Sequence, residues 1–177
     1  MLARLRAEGA GAVFFVMSDR ARRHPDLVHA MVAEGHRVEL HCRRHERHSG
    51  SARARIEADA DAALADLAAV GVRPRRWRTP WGDTAPWTPQ VARARGLLLT
   101  GWTADTHDWR GDPAAAMLAG VAPRLGPGAV VLMHDGLGPG ARRTGCGETV
   151  RLIAPLCAAV RAAGWAVAQP RRADGPR

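Results

Sequence analysis

Several side chains in this sequence can bind a metal ion or move a proton, and the first two are His41 and His45 in the stretch HCRRH. Two imidazoles four residues apart lie on one side of a helical turn, which suits zinc or another divalent metal. Spaced His pairs are also common in solvated loops, so the pair alone leaves both interpretations open. The following residues, ERHS, break this spacing, and we expect His48 to be exposed.

Three further stretches place titratable or aromatic residues close together. They are Arg78, Pro80 and Trp81 in RTPWG; Asp105, Asp108 and Trp109 in DTHDW; and Leu132, His134 and Asp135 in LMHD. Each has a structural explanation as well. A lone His can be a buried, hydrogen-bonded residue, an Asp can cap a turn, and a Trp can simply pack.

The hydrophobic pattern predicts which elements position these residues. Helices are predicted at the N-terminus up to Gly9, from Pro25 to Gly35, and over 51–70, 89–96, 113–125 and 148–163. Strands are predicted over 12–17, up to Leu40, and over 75–78, 97–104, 129–133 and 165–168. Helices and continuously apolar strands alternate, which indicates a parallel sheet covered by helices, either open or closed into a β/α barrel.

The candidate residues follow the predicted strands. In both architectures, ligand-binding and catalytic groups gather at the carboxyl ends of parallel strands. His41, Arg78, Asp105 and His134 each come directly after, or close to, the end of a different predicted strand. We therefore expect them to share one rim of the sheet and to mark an active site.

Composition narrows the class of protein. With 177 residues, 46% of them hydrophobic, the chain is expected to form one domain with its own core. A net charge of +9 suggests nucleic acid as a partner. However, the chain contains no Lys, Asn or Tyr, so a GC-rich gene explains the many scattered Arg residues, and we expect no nucleic-acid partner. Three Cys are too few for a disulfide framework, and no stretch predicts a membrane span or a signal peptide.

Taken in order, these stretches resemble the motifs of the polysaccharide deacetylase family, the NodB homology domain of carbohydrate esterase family 4. HCRRH resembles its His-x-x-x-His motif, RTPWG its Arg-x-Pro-aromatic-Gly motif, DTHDW its Asp-x-x-Asp-Trp motif and LMH its Leu-x-His motif. The resemblance implies a distorted (β/α)7-type barrel over residues 1–168, followed by a disordered tail over 169–177. It also implies a divalent metal, usually Zn²⁺, and an acetylated glycan as substrate.

The resemblance implies a role for each candidate residue. His41 and His45 are two of three protein ligands to the metal, a set that also accepts cobalt or nickel. His134 is the general acid that protonates the departing sugar amine, and Asp108 hydrogen-bonds to it. Arg78 orients the catalytic base.

Four residues of the same motifs are implied to form the pocket. Trp81 offers its backbone N–H to the oxyanion, and Leu132 and Trp109 surround the acetyl methyl group. Pro80 belongs to the same substrate-binding set. The implied reaction is metal-dependent removal of N-acetyl groups from a chitin-like or peptidoglycan-like glycan, with an O-acetyl ester as an open alternative.

Two features depart from the family pattern. Cys42 occupies a position where the family has Ser or Thr, and its thiol either supports the metal loop or ligates the metal. The family's first motif, Phe-Asp-Asp-Gly-Pro, supplies the catalytic base and the third ligand, and no Asp-Asp pair occurs in this sequence. We expect the first strand to be missing because Met1 lies within a helix, and these 177 residues alone to be inactive.

The same departure leaves alternatives open. The chain is either a deacetylase whose first strand is encoded upstream or a non-catalytic relic that binds sugar or metal. Localisation depends on the same point: cytoplasmic if Met1 is the true start, extracytoplasmic if a signal peptide lies upstream. The sequence does not predict the oligomeric state.

Overall fold

The structure, a computed structural model, describes residues 1–167. They form two compact units, the N-terminal unit (Ala12–Gly101) and the C-terminal unit (Met1–Gly11 together with the described residues from Trp102 onward). The tail expected over 169–177 lies outside the described residues. In chain order, the helices and strands are α1 (Leu2–Ala7), β1 (Val13–Met17), α2 (Ser18–Arg23), α3 (Pro25–Ala33), β2 (Arg37–Cys42), α4 (Arg53–Ala69), β3 (Arg76–Trp77), α5 (Thr88–Ala94), β4 (Leu98–Leu99), β5 (Ala104–Asp105), α6 (Ala114–Val121), β6 (Val131–Leu132) and α7 (Gly147–Ala162).

The N-terminal unit is built on a parallel sheet in the order β1-β2-β3-β4. In β1 and β2, Val13 pairs with Arg37 and Val16 with Leu40. Because all four strands are parallel, their carboxyl ends lie at the same edge of the sheet. Helices pack on it through apolar side chains that are almost completely buried, among them Val28, Ala63, Leu67 and Val91, and Leu40 of β2 is buried beneath them.

The C-terminal unit contains a second parallel pair, β5 with β6. Its register aligns Ala104 with Val131 and Asp105 with Leu132. Helices α6 and α7 pack together against this pair, and their buried core consists of Ala104, Met117, Val121, Leu152 and Leu156. The pairing brings the ends of two candidate motifs side by side.

Most predicted elements are present, but two predicted strands differ from expectation. The strand predicted over 97–104 is divided at Gly101 into β4 and β5, which belong to different units. Residues 165–167 were expected in a last strand but are not in one, because the Trp165 N–H instead donates to the Val160 carbonyl at the end of α7. The remaining residue of that predicted strand lies outside the described range.

Helix α2 was not predicted because its sequence, SDRARR, has no apolar face. A tertiary contact stabilises it: Ser18 and Arg22 both donate hydrogen bonds to the buried Asp66 of α4. Within residues 1–167, no helix has both the length and the apolar character needed to cross a membrane.

Candidate active site

The carboxyl ends of β2 and β3 carry a group of side chains that we call the imidazole cluster: His41, His45, Arg78 and Trp81. The His41 and His45 rings are 5.0 Å apart between centroids, and the His45 and Trp81 rings 4.1 Å apart. The sheet brings His41 and Arg78 together because Arg78 N–H donates to the carbonyl of Leu40 across the two strands.

The tautomer of His41 follows from its hydrogen bond. Its Nδ1 lies 2.6 Å from the carbonyl oxygen of Arg78, which can only accept, so Nδ1 carries the hydrogen. In the neutral ring, Nε2 therefore bears the lone pair. Metal-ligating His residues commonly donate their second nitrogen to a backbone carbonyl in this way.

The spacing of the two rings is compatible with a shared ion, and it is also that of an ordinary edge-to-face ring contact. A zinc–nitrogen distance of about 2.0–2.1 Å, plus roughly 1.2 Å to the ring centroid, places two tetrahedrally arranged imidazoles about 5 Å apart. The centroid distance of 5.0 Å between His41 and His45 agrees with this value. Two imidazoles alone are an incomplete donor set, and among residues 1–167 no group of three or more His, Cys, Asp or Glu is arranged to hold a metal.

Cys42 follows His41 directly in the sequence. At this point the pairing of β2 with β1 is irregular, since Val16 pairs with Leu40 and Met17 with Cys42. The thiol is 4% exposed, and burial, reinforced by the nearby carboxylates of Asp59 and Asp19, raises its pKa well above the ordinary range. Burial therefore favours the protonated thiol.

Two carboxylates of α4 hold the loop that separates His41 from His45. Asp59 accepts hydrogen bonds from the backbone N–H groups of Arg43 and Arg44 at 3.0 Å, and Asp66 accepts from the Arg43 side chain at 2.9 Å. Burial raises the pKa of Asp59, while those backbone donors oppose the rise. The loop is thereby fixed to a helix, a contact that no local sequence signal predicts.

The RTPWG residues take distinct positions. The Arg78 guanidinium lies over the Phe15 ring at 4.2 Å and donates to the carbonyl of Gly101, and burial lowers its pKa to about 10. Pro80 is fully buried, which favours a role in shaping the turn over contact with a glycan. Trp81 is 41% exposed and adopts a left-handed conformation with φ 56°. Such strain in a non-glycine residue is often found at functional sites.

His48 was expected to be exposed, and this is wrong. Only 2% of the residue is exposed, because its ring lies between Trp77 and Trp87, with centroids 5.0 and 5.9 Å away. Its Nδ1 also makes a 3.1 Å hydrogen bond with the hydroxyl of Thr88. Burial lowers the pKa of His48, which favours the neutral ring. The charged sequence around it concealed this burial.

The second group of side chains, in the C-terminal unit, is the Asp108 cluster: Asp108, His134, Arg143 and Thr149. Asp108 and His134 follow the aligned ends of β5 and β6, which explains their proximity. The His134 Nδ1–H donates to one Asp108 oxygen at 2.7 Å, and the His134 backbone N–H donates to the other at 2.9 Å. The imidazole is thus fixed by a carboxylate that is 1% exposed, while 44% of the His134 side chain remains accessible.

The carboxyl group of Asp108 is ionised at neutral pH despite its burial. Desolvation alone would raise its pKa, but the hydrogen bonds and charge of His134, together with the Thr149 hydroxyl, outweigh it and lower the pKa to about 2. Because Nδ1 of His134 donates to Asp108, Nε2 is the ring nitrogen that remains available to exchange a proton.

Arg143 and Thr149 were not identified from the sequence. The Thr149 hydroxyl donates to Asp108 at 2.8 Å, and Arg143 donates to the same carboxylate at 2.8 Å. Arg143 precedes α7, and Thr149 lies in its first turn. Both are distant in sequence from DTHDW, and no spacing pattern indicates a functional role for them. The guanidinium groups of Arg110 and Arg142 lie over the Trp109 ring, 5.2 and 5.9 Å from its centroid. Leu132 is 8% exposed.

Comparison with known proteins places the chain in a family. The sequence profile of the polysaccharide deacetylase family matches residues 1–99. A chitooligosaccharide deacetylase from Bradyrhizobium sp. is 31% identical over 166 residues, covering 88% of this chain and 74% of the relative. One from Sinorhizobium fredii is 30% identical over 131 residues, covering 72% of this chain and 60% of the relative.

A solved structure gives the same result. A family 4 carbohydrate esterase from Streptomyces lividans in complex with acetate is 26% identical, with a TM-score of 0.85 over 98% of this chain and 86% of that chain. This confirms the expected NodB-like α/β fold. From the matched profile, the relatives and the fold, the chain belongs to the polysaccharide deacetylase family, carbohydrate esterase family 4.

Proposed function

We propose that this protein is a metal-dependent hydrolase that removes N-acetyl groups from an N-acetylated polysaccharide or oligosaccharide. Family membership supports the reaction class, since the Bradyrhizobium and Sinorhizobium relatives are chitooligosaccharide deacetylases. The reaction needs a proton donor for the leaving amine, stabilisation of the developing oxyanion and a base for the attacking water.

The observation that carries the proposal is the His134–Asp108 pair. An accessible imidazole, held by a buried carboxylate at Nδ1, is suited to donate a proton from Nε2 to the sugar nitrogen as the amide C–N bond breaks. Asp108 holds the ring through Nδ1, which leaves Nε2 for the transfer. Leu132 and Trp109 lie in the same two motifs and are proposed to contact the acetyl methyl group.

In the imidazole cluster, His41 and His45 are proposed to hold the metal, most suitably Zn²⁺. A bound divalent metal polarises the amide carbonyl and lowers the pKa of water. His41 is oriented for this by its hydrogen bond to the Arg78 carbonyl. The backbone of Trp81, held in its left-handed turn, is proposed to donate an N–H to the oxyanion, and Arg78 to orient a catalytic carboxylate.

No residue has been assigned as the catalytic base or as the third metal ligand. The sequence has no Asp-Asp pair, the motif to which the family resemblance assigns the base and the third ligand. We propose that the 177 residues by themselves turn over an N-acetylated glycan only when a carboxylate is supplied. The second candidate, a non-catalytic sugar- or metal-binding protein, is favoured by the same observation.

Acetate release distinguishes the two candidates. The chain is incubated with zinc and the fully acetylated tetramer of N-acetylglucosamine, with and without added formate as an exogenous base. We expect no release without formate, release above the buffer control with formate, and loss of that release in His134→Gln. Asp112→Asn, a change at an exposed residue, serves as the control.

Each outcome has a defined meaning. Tetramer binding without any formate-dependent release would replace the deacetylase proposal with the non-catalytic candidate. Release without formate would support deacetylation and refute the expected inactivity of the chain. Release that persists in His134→Gln would refute the role of His134 as proton donor.

A further inference from the structure

We infer that Arg143 is a positioning residue for proton donation: it holds Asp108 and the main chain of His134 together and limits how strongly His134 keeps its proton. This inference rests on the proposed function only for its effect on rate. Arg143 lies outside the four motifs that resemble the family, nine residues beyond His134. Its assignment comes from its contacts alone.

The guanidinium of Arg143 hydrogen-bonds both to Asp108 and to the main chain at His134. One terminal nitrogen, Nη1, donates to Asp108 Oδ2 at 2.8 Å. The other, Nη2, donates to the carbonyls of His134 at 2.9 Å and Gly136 at 3.0 Å. The same guanidinium therefore binds the carboxylate that orients the imidazole and the backbone that carries it. Only a planar fork with several N–H donors can make these contacts together.

Thr149 completes the set with unambiguous hydrogen-bond directions. Its Oγ1 accepts a hydrogen bond from Arg143 Nη1, and its hydroxyl donates to Asp108 Oδ2 at 2.8 Å. Asp108 thus accepts hydrogen bonds from Arg143, Thr149 and two groups of His134. With so many donors, the carboxylate has one orientation, and so does the ring that it holds.

The segment carrying Arg143 is itself fixed to the DTHDW turn. The N–H of the preceding residue, Arg142, donates to the Trp109 carbonyl at 2.8 Å. Gly111 has φ +89°, and a Cβ on it would lie 3.4 Å from the Cβ of Arg143. The side chain of Arg143 is 6% exposed. Its position is therefore determined by packing as well as by hydrogen bonds.

The charge of Arg143 has a consequence beyond geometry. Among the described residues of this unit, the charged groups that hydrogen-bond to His134 are Asp108 and Arg143, while Asp135 follows it in sequence. Asp108 alone would stabilise the imidazolium and make His134 hold its proton tightly. A cation sharing that carboxylate weakens the effect, since a nearby like charge disfavours protonation. Arg143 therefore keeps His134 able to release its proton.

The test separates charge from geometry with two variants. Arg143→Gln removes the charge and most of the donors, and Arg143→Lys keeps the charge but not the fork. Arg151→Gln is the matched control, an exposed arginine in the same unit. Circular dichroism and thermal unfolding identify variants that remain folded. Thr149→Val, which removes one hydroxyl, serves if Arg143→Gln does not fold.

The first readout is the NMR titration of the His134 ring, which needs no substrate and no activity. We expect the titration midpoint to move upward by about one pH unit in Arg143→Gln and to stay near the wild-type value in Arg143→Lys and Arg151→Gln. For Thr149→Val we expect a smaller upward movement. An unchanged midpoint in folded Arg143→Gln, or in folded Thr149→Val where that variant replaces it, would overturn the inference.

The second readout is formate-dependent acetate release. We expect kcat to fall about 10- to 100-fold in both Arg143 variants, as for other residues that orient a functional group, and the alkaline limb of the pH–rate profile to move upward only in Arg143→Gln. An unchanged kcat in both variants would refute the positioning role. If the wild type releases no acetate, the proposed function fails, while the titration still decides the electrostatic part of this inference.

Discussion

The buried carboxylate of Asp108 offers a quantitative test of the C-terminal unit. Asp108→Asn keeps the shape of the side chain but removes the negative charge that faces Arg143. The pKa of Asp108 is lowered from 3.8 to about 2. At about 1.4 kcal/mol for each pH unit, the ionised form contributes roughly 2–3 kcal/mol to folding. Leaving a buried partner charge unpaired costs up to about 5 kcal/mol.

We therefore expect Asp108→Asn to lower the free energy of unfolding by about 2–5 kcal/mol at pH 7. For a chain of this size, this corresponds to a melting temperature lower by roughly 5–20 °C. Urea titration and thermal unfolding measure both quantities. Asp112→Asn, an exposed change in the same unit, is expected to stay within about 0.5 kcal/mol of the wild type.

The pH dependence of this difference has a defined sign. Because the folded pKa of Asp108 is below the unfolded value, its contribution is complete above about pH 4 and is lost as the pH falls through 2. At pH 3, about half of the charge-dependent part remains. An Asp108→Asn variant as stable as the wild type at pH 7 would refute the reasoning, and so would a difference that grows on acidification.

Three further predictions concern the N-terminal unit. Burial lowers the pKa of His48, so the wild type is expected to lose stability as the pH falls below about 6.5, where the unfolded chain takes up a proton first. In urea titrations at pH 8 and pH 5, His48→Phe is expected to reduce the loss of unfolding free energy between the two pH values. An unchanged loss would contradict the burial argument. In the native protein, iodoacetamide at pH 8 is expected to label the partly exposed Cys146 but not Cys42, as mapped by mass spectrometry, and equal labelling of the two would show that Cys42 is accessible. Asp59→Ala frees the loop between the two imidazoles and is expected to weaken Zn²⁺ binding, measured by calorimetry, about 10- to 100-fold. Asp61→Ala, on the exposed side of the same helix, is the control. Equal affinities of the two variants would exclude a role for the loop contact of Asp59.

The sequence by itself determined the family and the order of the elements. Four short motifs in order are specific because each combines residue types that are seldom found together by chance. The alternation of helices and apolar strands depends on local periodicity, which the chain carries in its own residues. The parallel α/β fold and family membership were therefore predictable, and the comparisons confirm both.

Only the tertiary structure decided what surrounds the candidate residues. Arg143 and Thr149 meet Asp108 because α7 packs where β5 and β6 end, and no local pattern encodes contacts between residues 35 and 41 positions apart. His48 illustrates the same limit, since charged neighbours in the sequence predicted exposure while two tryptophans from later segments bury it. Local periodicity determines which elements form, whereas the burial and pKa of a side chain depend on groups that folding brings from elsewhere in the chain.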